Sequence, residues 1–279
     1  MNLLLCLLVF FPSKTITVID FKTNKPVPFV SFIGVKDSKG GYADENGKIS
    51  FEGNMTQPFI VSCVGYLTDT VSFDVDTIQL KPQTIVLATV KVSAKKINPN
   101  SMSLGFFKKN TWESFVAQTK YEFYTYIANP DTSIKWQIES IKIAARGYRK
   151  KGKFESFKIR PFLKDVLKKL PNNSMLMTDI TVDVPRGENS VTIKLDEPLT
   201  LPKEGCFVGF ETIGYSIEPN QFIPYSDFVN DPDGEKVQIN IPLTKSNSRS
   251  LWRVKNGKGW YGSPSDVRNA FAFGLEVSY

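Results

Sequence analysis

The chain is predicted to be mostly β and to fold as two β-sandwich domains, and three observations carry that expectation. Val, Ile and Thr recur in short runs punctuated by Pro, Gly, Asn and Asp, the pattern of strands and turns. Aromatic residues make up 13% of the chain, with 21 Phe, while long stretches of helical period are missing. At 279 residues the chain has the length of two ordinary domains, and the polar, turn-rich residues 93–104 read as the linker between them.

The elements follow in order. Leu3 to Phe11 is an unbroken apolar run, too short to span a bilayer and suited to the centre of a secretory signal, so residues 1–14 are read as a signal segment and export is expected. No basic residue precedes that run and no small-x-small pattern follows it before Thr15, so a start further upstream is expected; the competing reading is a buried first strand. The first domain covers residues 15–92. Ile16 and Val18 alternate up to Asp20, Lys22 to Pro26 supplies a turn, and Val27 to Val35 resumes an extended run, which predicts a hairpin. Asp44 to Gly47 is a turn in which Gly47 takes positive φ, and strands are expected at Lys48 to Phe51, Pro58 to Val64, Thr68 to Val75, Ile78 to Leu80 and Ile85 to Val92. About seven strands in some eighty residues make a sandwich.

The second domain covers residues 105–279. Strands are read at Tyr121 to Ile127, Ile138 to Ala144, Phe154 to Phe162, Met177 to Val184, Ser190 to Leu195, Cys206 to Ile213, Val237 to Ile241 and Ala270 to Tyr279. About eight such segments suggest a jelly-roll-like sandwich. Phe162 to Leu170 is open to a short helix or a turn over a sheet edge. The terminal alternation of Phe271, Phe273, Leu275, Val277 and Tyr279 has the form of a last barrel strand, but the regular ten-residue alternating strands of a barrel are missing before it. No other apolar segment is long enough for a transmembrane helix in the mature chain. Cys63 and Cys206, each in an apolar run, are expected as buried thiols.

Charge is uneven. The formal net charge is +7, and residues 142–169 alone hold eleven basic side chains against two acids. Any electrostatic partner should meet that segment first, and the competing reading is a solvated β-hairpin.

Residues 15–95 resemble the carboxypeptidase regulatory-like domain, a transthyretin-like β-sandwich, in the form found at the front of TonB-dependent outer-membrane receptors. The resemblance runs through Val18-Ile19-Asp20, Thr23 to Pro28, Ala43 to Lys48, Val61 to Tyr66 and Ala88 to Val92, with Ala88-Thr89 where that family usually has two acids. It implies a displayed β-module, transthyretin- or Ig-like, with no transporter attached. Pro202 to Glu211 looks like part of a jelly-roll domain that follows this module in envelope proteins of the same bacteria, and that likeness implies no activity.

The chemistry the chain can support is narrowed by its lack of histidine, which removes the usual base of serine and cysteine hydrolases and most zinc sites. The regulatory-like domain brings no zinc peptidase with it. Asp44, Glu45 and Asn46 lack the ligand spacing of a calcium loop and read as a turn. Asp227, Asp231 and Asp233, with Asn230 and Gly234, form a weak metal candidate whose plainer reading is a solvated turn loop. Glu211 and Glu276 are the carboxylates from which a cryptic carbohydrate-active enzyme would draw its acid and nucleophile; the plainer reading pairs Glu211 with a nearby Lys or Arg. Gly257-Lys258-Gly259 is a hairpin tip without P-loop spacing.

Two groups are candidate ligand contacts. Trp252, Trp260 and Tyr261 flank that tip as flat aromatics able to stack on sugars or anchor a protein, or else cap the core. Arg146, Tyr148, Arg149, Lys150 and Lys151 interleave cations with an aromatic. For an exported protein the expected partner is an acidic polysaccharide or anionic lipid surface, a glycan or an envelope protein, and not nucleic acid. The sequence therefore points to a non-enzymatic, exported envelope protein of the periplasm or outer membrane, without cofactor, in which a β-sandwich display module precedes a binding domain. Its rivals are the carbohydrate-active enzyme and a structural spacer.

Overall fold

The computed structural model describes residues 13–37, 39–52, 55–83, 100–106, 114–117, 121–149, 153–176, 178–219, 221–228, 237–245, 250–254, 260–261 and 269–279. Among them every regular element is a β-strand, so the mostly-β expectation holds, and none is a helix long and apolar enough to cross a membrane. The chain divides into two compact units: residues 1–82 with 226–232, and residues 83–225 with 233–279.

The first unit holds β1 (Ser13–Asp20), β2 (Ser31–Gly34), β3 (Gly40–Tyr42), β4 (Lys48–Glu52), β5 (Phe59–Ser62), β6 (Asp69–Val71) and β7 (Thr77–Leu80). They form two sheets, β4-β1-β7 and β3-β2-β5-β6. Period-two alternation sends Ile16 and Val18 of β1, Ile49 and Phe51 of β4, and Ile78 and Leu80 of β7 inward. There they meet Phe32, Phe59 and Val61 of the other sheet in one core, which makes the unit a sandwich. Ser13 and Lys14, expected at the end of a signal, begin β1, and Lys14 pairs with Asp76 at 3.0 Å. Residues 1–12 and 84–99 lie outside the described residues.

The hairpin expected over residues 15–35 does not form. β1 pairs with β4 and, in parallel, with β7, whereas β2 belongs to the other sheet; of the hairpin there remains a short turn, held by the Ile19–Pro26 bridge, the Asp20 N–H donating to the Lys25 carbonyl and the Val27 N–H donating to the Val18 carbonyl. Asp20 explains why the chain turns there: its carboxylate accepts the backbone N–H groups of Lys22 and Thr23 and the hydroxyl of Tyr66. Gly47 has the expected positive φ, 69°, where a Cβ would lie 2.7 Å from the Val18 carbonyl oxygen.

Residues 226–228 complete this unit from far along the chain. Asp227 N–H donates to the Gly40 carbonyl, the Gly40 N–H donates back to Asp227 Oδ2 at 3.0 Å, and the Glu52 N–H donates to the Phe228 carbonyl. The Phe228 ring lies 4.7 Å from Phe51 and 5.4 Å from Phe59. Gly41 makes this approach possible, since a Cβ there would sit 2.9 Å from Ser226 Oγ. The second domain expected to run unbroken over 105–279 is interrupted at this point.

The second unit holds β8 (Ser101–Gly105), β9 (Ser114–Ala117), β10 (Tyr121–Ile127), β11 (Gln137–Ala144), β12 (Arg146–Tyr148), β13 (Ser156–Leu167), β14 (Leu170–Ser174), β15 (Val182–Pro185), β16 (Ser190–Thr200), β17 (Cys206–Ser216), β18 (Phe222–Pro224), β19 (Gln238–Lys245), β20 (Ser250–Val254), β21 (Asn269–Phe271) and β22 (Phe273–Ser278). One sheet runs β14-β13-β17-β10-β20, with β15 also on β13 and β18 on β17; a second runs β16-β11-β22-β8; a third runs β12-β19-β21, with β9 on β19. Phe123 and Phe210 of the first sheet meet Phe271 and Phe273 in the core between them.

These strands are more numerous than the eight expected, for identifiable reasons. Residues 101–104, read as linker, form most of the edge strand β8 against β22. The single strand expected over Ala270 to Tyr279 breaks at Ala272, where the chain leaves β19 for β11. Phe162 to Leu170 is not a helix, and the turn is confined to its end: β13 continues to Leu167, and Lys168 and Lys169 form a two-residue hairpin turn into β14. Both lysines have positive φ, 50° and 67°, a conformation that costs a side chain other than glycine about 1 kcal/mol.

Candidate functional site

The basic segment is placed by Gly147. On β12 its missing side chain faces Phe154 and Phe157, and a Cβ would lie 2.8 Å from each ring. The strand therefore presses flat on those rings, and alternation turns Arg146 and Tyr148 to the opposite side, where both are exposed. β12 pairs with β19 and not with β13, so the solvated hairpin expected here is instead a crossing from one sheet to another.

Around Arg146 and Tyr148 the cations are held by aromatic rings and by carbonyl, amide or carboxylate oxygens. Arg146 Nε donates to Asn189 Oδ1 at 2.6 Å. Arg149 Nη1 donates to the Lys153 carbonyl at 2.8 Å, and its guanidinium lies 5.8 Å from the Tyr215 ring centre. Arg186 lies 5.9 Å over Phe154, and Lys158 lies 5.5 Å over Phe222 while pairing with Asp183 at 2.7 Å. A guanidinium can stack on a ring by its face and donate through its N–H fork, a geometry that matches the two oxygens of a carboxylate or sulfate. Lys150 and Lys151 lie outside the described residues. Arg186 and Asn189 were not singled out from sequence, because nothing local links them to residue 146.

The three-aromatic platform separates. Trp252 packs on Phe115 at 5.1 Å and on Phe271 at 6.3 Å, so it belongs to the core-side aromatic cluster. Trp260 turns to the other face, 4.5 Å over the Arg253 guanidinium and 5.7 Å from Tyr124. Tyr261 pairs with Trp252 through the backbone, and its ring is exposed. Alternation across a strand pair accounts for the split, since Trp260 and Tyr261 are neighbours in sequence and point to opposite faces.

Trp260 caps a feature that sequence reading missed. Arg160, Glu211, Glu122 and Arg253 stand opposite one another on β13, β17, β10 and β20, a row of four charges across one sheet face. Arg160 Nη1 donates to Glu211 Oε1 at 2.7 Å, and Asp179 takes the rest of the guanidinium at 2.7 and 3.0 Å. Arg253 Nε donates to Glu122 Oε2 at 2.7 Å, and the Tyr124 hydroxyl donates to the same oxygen at 3.1 Å. Arg160, Glu211 and Glu122 are all buried. Burial, with the Glu122 charge beside it, pushes the Tyr124 phenol well above its ordinary value. For Arg253 burial works to lower the pKa, but Glu122 outweighs it and the net direction is upward.

Glu211 and Glu276 stand on different sheets. Glu211 adjoins core-facing Phe210 and so points outward from its sheet. Glu276 lies between buried Leu275 and Val277 on β22 and points outward from the other sheet. Packed sheets are about 10 Å apart, so carboxylates on their two outer faces exceed the separation of a glycosidase pair. Burial works to raise the Glu276 carboxyl, but hydrogen bonds from Lys142 and Ser103 overcome it and hold its pKa below the ordinary value. That is the reverse of what a general acid needs. Asp227, the described member of the metal candidate, spends an oxygen on Gly40 N–H, and Asp231 and Asp233 lie outside the described residues. Cys206 is buried, which pushes its thiol up to about 12, whereas Cys63 is half-buried.

No family model matches the chain. No curated protein matches it either. Among solved structures it is similar to a DUF3823 family protein from Bacteroides ovatus ATCC 8483, at 9% identity and a TM-score of 0.21, over 74% of this chain and all of that one.

Proposed function

We propose that the protein is a non-enzymatic binding protein of the cell envelope, exported, whose second unit takes an acidic polysaccharide on the Arg146, Tyr148, Arg149 and Arg186 surface. The observation that carries this reading is the outward pair Arg146 and Tyr148, 51% exposed at the tyrosine, beside guanidinium groups seated on Tyr215 and Phe154. Flat aromatic and guanidinium surfaces suit a sugar ring bearing a carboxylate: the ring stacks and the charge is gripped edge-on. The opposed placement of Glu211 and Glu276 speaks against the carbohydrate-active rival.

The test is binding of polygalacturonate, with neutral dextran as control, by the full chain and by Arg146→Ser combined with Tyr148→Ser. Binding should fall steeply as salt rises past about 0.1 M, where the Debye length shrinks to about 10 Å. The variant should lose at least ten-fold in affinity with its melting temperature nearly unchanged, because both side chains are exposed. Wild-type binding by the variant, or equal binding of dextran, overturns the reading.

A further inference from the structure

The hairpin joining β13 and β14 is built against its own local preference. Leu167 pairs with Leu170, so Lys168 and Lys169 are the whole loop, and both adopt left-handed backbone angles. Two-residue turns of this kind favour Asn and Gly, which tolerate positive φ. Lysine at both positions is a choice that turn stability does not make, and sacrificed local stability is characteristic of contact sites.

The tip also projects. Lys164 stands opposite Phe207, and β17 begins at Cys206, so Val166 to Leu170 run past the end of that neighbour by about 7 Å. Leu167 is 54% exposed, while Val166 and Leu170 pack against the cluster of Tyr124, Phe162, Phe207 and Leu251, which anchors the base. Behind the tip, Lys164 Nζ lies 5.4 Å over Tyr124 and 5.3 Å over Phe162. Asp165, the acid within the hairpin, accepts the backbone N–H of Asn173 at 2.7 Å.

We infer that this tip is a contact element for an anionic lipid surface, with Leu167 entering the headgroup layer and Lys168 and Lys169 meeting lipid phosphates. An exposed leucine next to two exposed lysines favours lipid over a soluble polyanion, because only the membrane offers an apolar layer in which to bury it. The inference stands on residues separate from the polysaccharide surface.

The experiment is co-sedimentation of the full chain with vesicles of phosphatidylcholine containing phosphatidylglycerol, against phosphatidylcholine alone. Lys168→Asn with Lys169→Gly gives the turn its preferred residues, so the melting temperature should rise by about 2–4 °C. The same variant should partition about thirty-fold more weakly, the equivalent of about 1 kcal/mol for each lysine. Leu167→Ser should also weaken partitioning with no loss of melting temperature, and Arg146→Ser with Tyr148→Ser should sediment as wild type. Unchanged partitioning in both tip variants overturns the inference, as does equal binding to neutral vesicles. Loss of polygalacturonate binding in place of vesicle binding would also overturn it, since that would make the tip a soluble-polyanion site.

Discussion

Arg160 shows what a single buried residue does for this sheet. Its guanidinium carries Glu211 and Asp179 at once, and Glu211 has no exposure to water. A buried carboxylate deprived of its cation keeps its desolvation cost and loses its compensation. Arg160→Met should therefore destabilise the second unit by about 3–5 kcal/mol. Adding Glu211→Leu should recover most of that loss, because an apolar pair of similar volume needs no charge balance. Urea unfolding of the two variants checks both halves: a double variant as unstable as the single would show that the row is held by something other than the Arg160–Glu211 pair. In sequence, Glu211 was visible as a carboxylate flanked by strand residues, and a basic partner was the plainer reading. Which cation it meets was not, because Arg160 is 51 positions away and register across two strands decides the meeting.

At the scale of elements, the segment Ser226–Phe228 carries the larger consequence. It is bracketed by Gly40 and Glu52 and places one ring against Phe51 and Phe59. Phe228→Ala removes that ring from a closed core, a change that costs about 3–5 kcal/mol. The loss should fall on the first unit's unfolding, read by chemical denaturation, and a variant as stable as wild type would show the ring to be dispensable. Local pattern did identify many strands: Tyr121–Ile127 has the bounds that its aromatic and β-branched run suggested. It failed where partner choice is non-local. The turn after Asp20 was legible, but that β2 would leave β1 for another sheet was not, since both runs are equally extended. Residues 101–104, Ser-Met-Ser-Leu, look like linker because they follow a polar, turn-rich run, yet their polar–apolar alternation is enough for an edge strand. The outward basic and aromatic residues of β12 were legible by composition; their orientation depended on Gly147 and on two rings further along the chain.

For the molecule as a whole, the path of the chain matters more than the number of its domains. It runs through the first unit, into the second, back to the first at residues 226–232, and into the second again. The return is closed at its base by the Tyr225 hydroxyl, which donates to the Val237 carbonyl at 2.5 Å. A protease site inserted between Ala94 and Lys95 would cut the chain after its first pass through the first unit and sever the only covalent path that an uninterrupted two-domain chain would have. Two contiguous domains would then separate on a sizing column. Here residues 226–232 belong to the first unit's fold, while the chain on either side of them belongs to the second, so the cut fragments should elute together under native conditions and part only in denaturant. Phe228→Ala in the cut protein should weaken that association, because the ring is the segment's main apolar contact. Fragments that separate freely after cutting, with Phe228 intact, would show that the return segment does not hold.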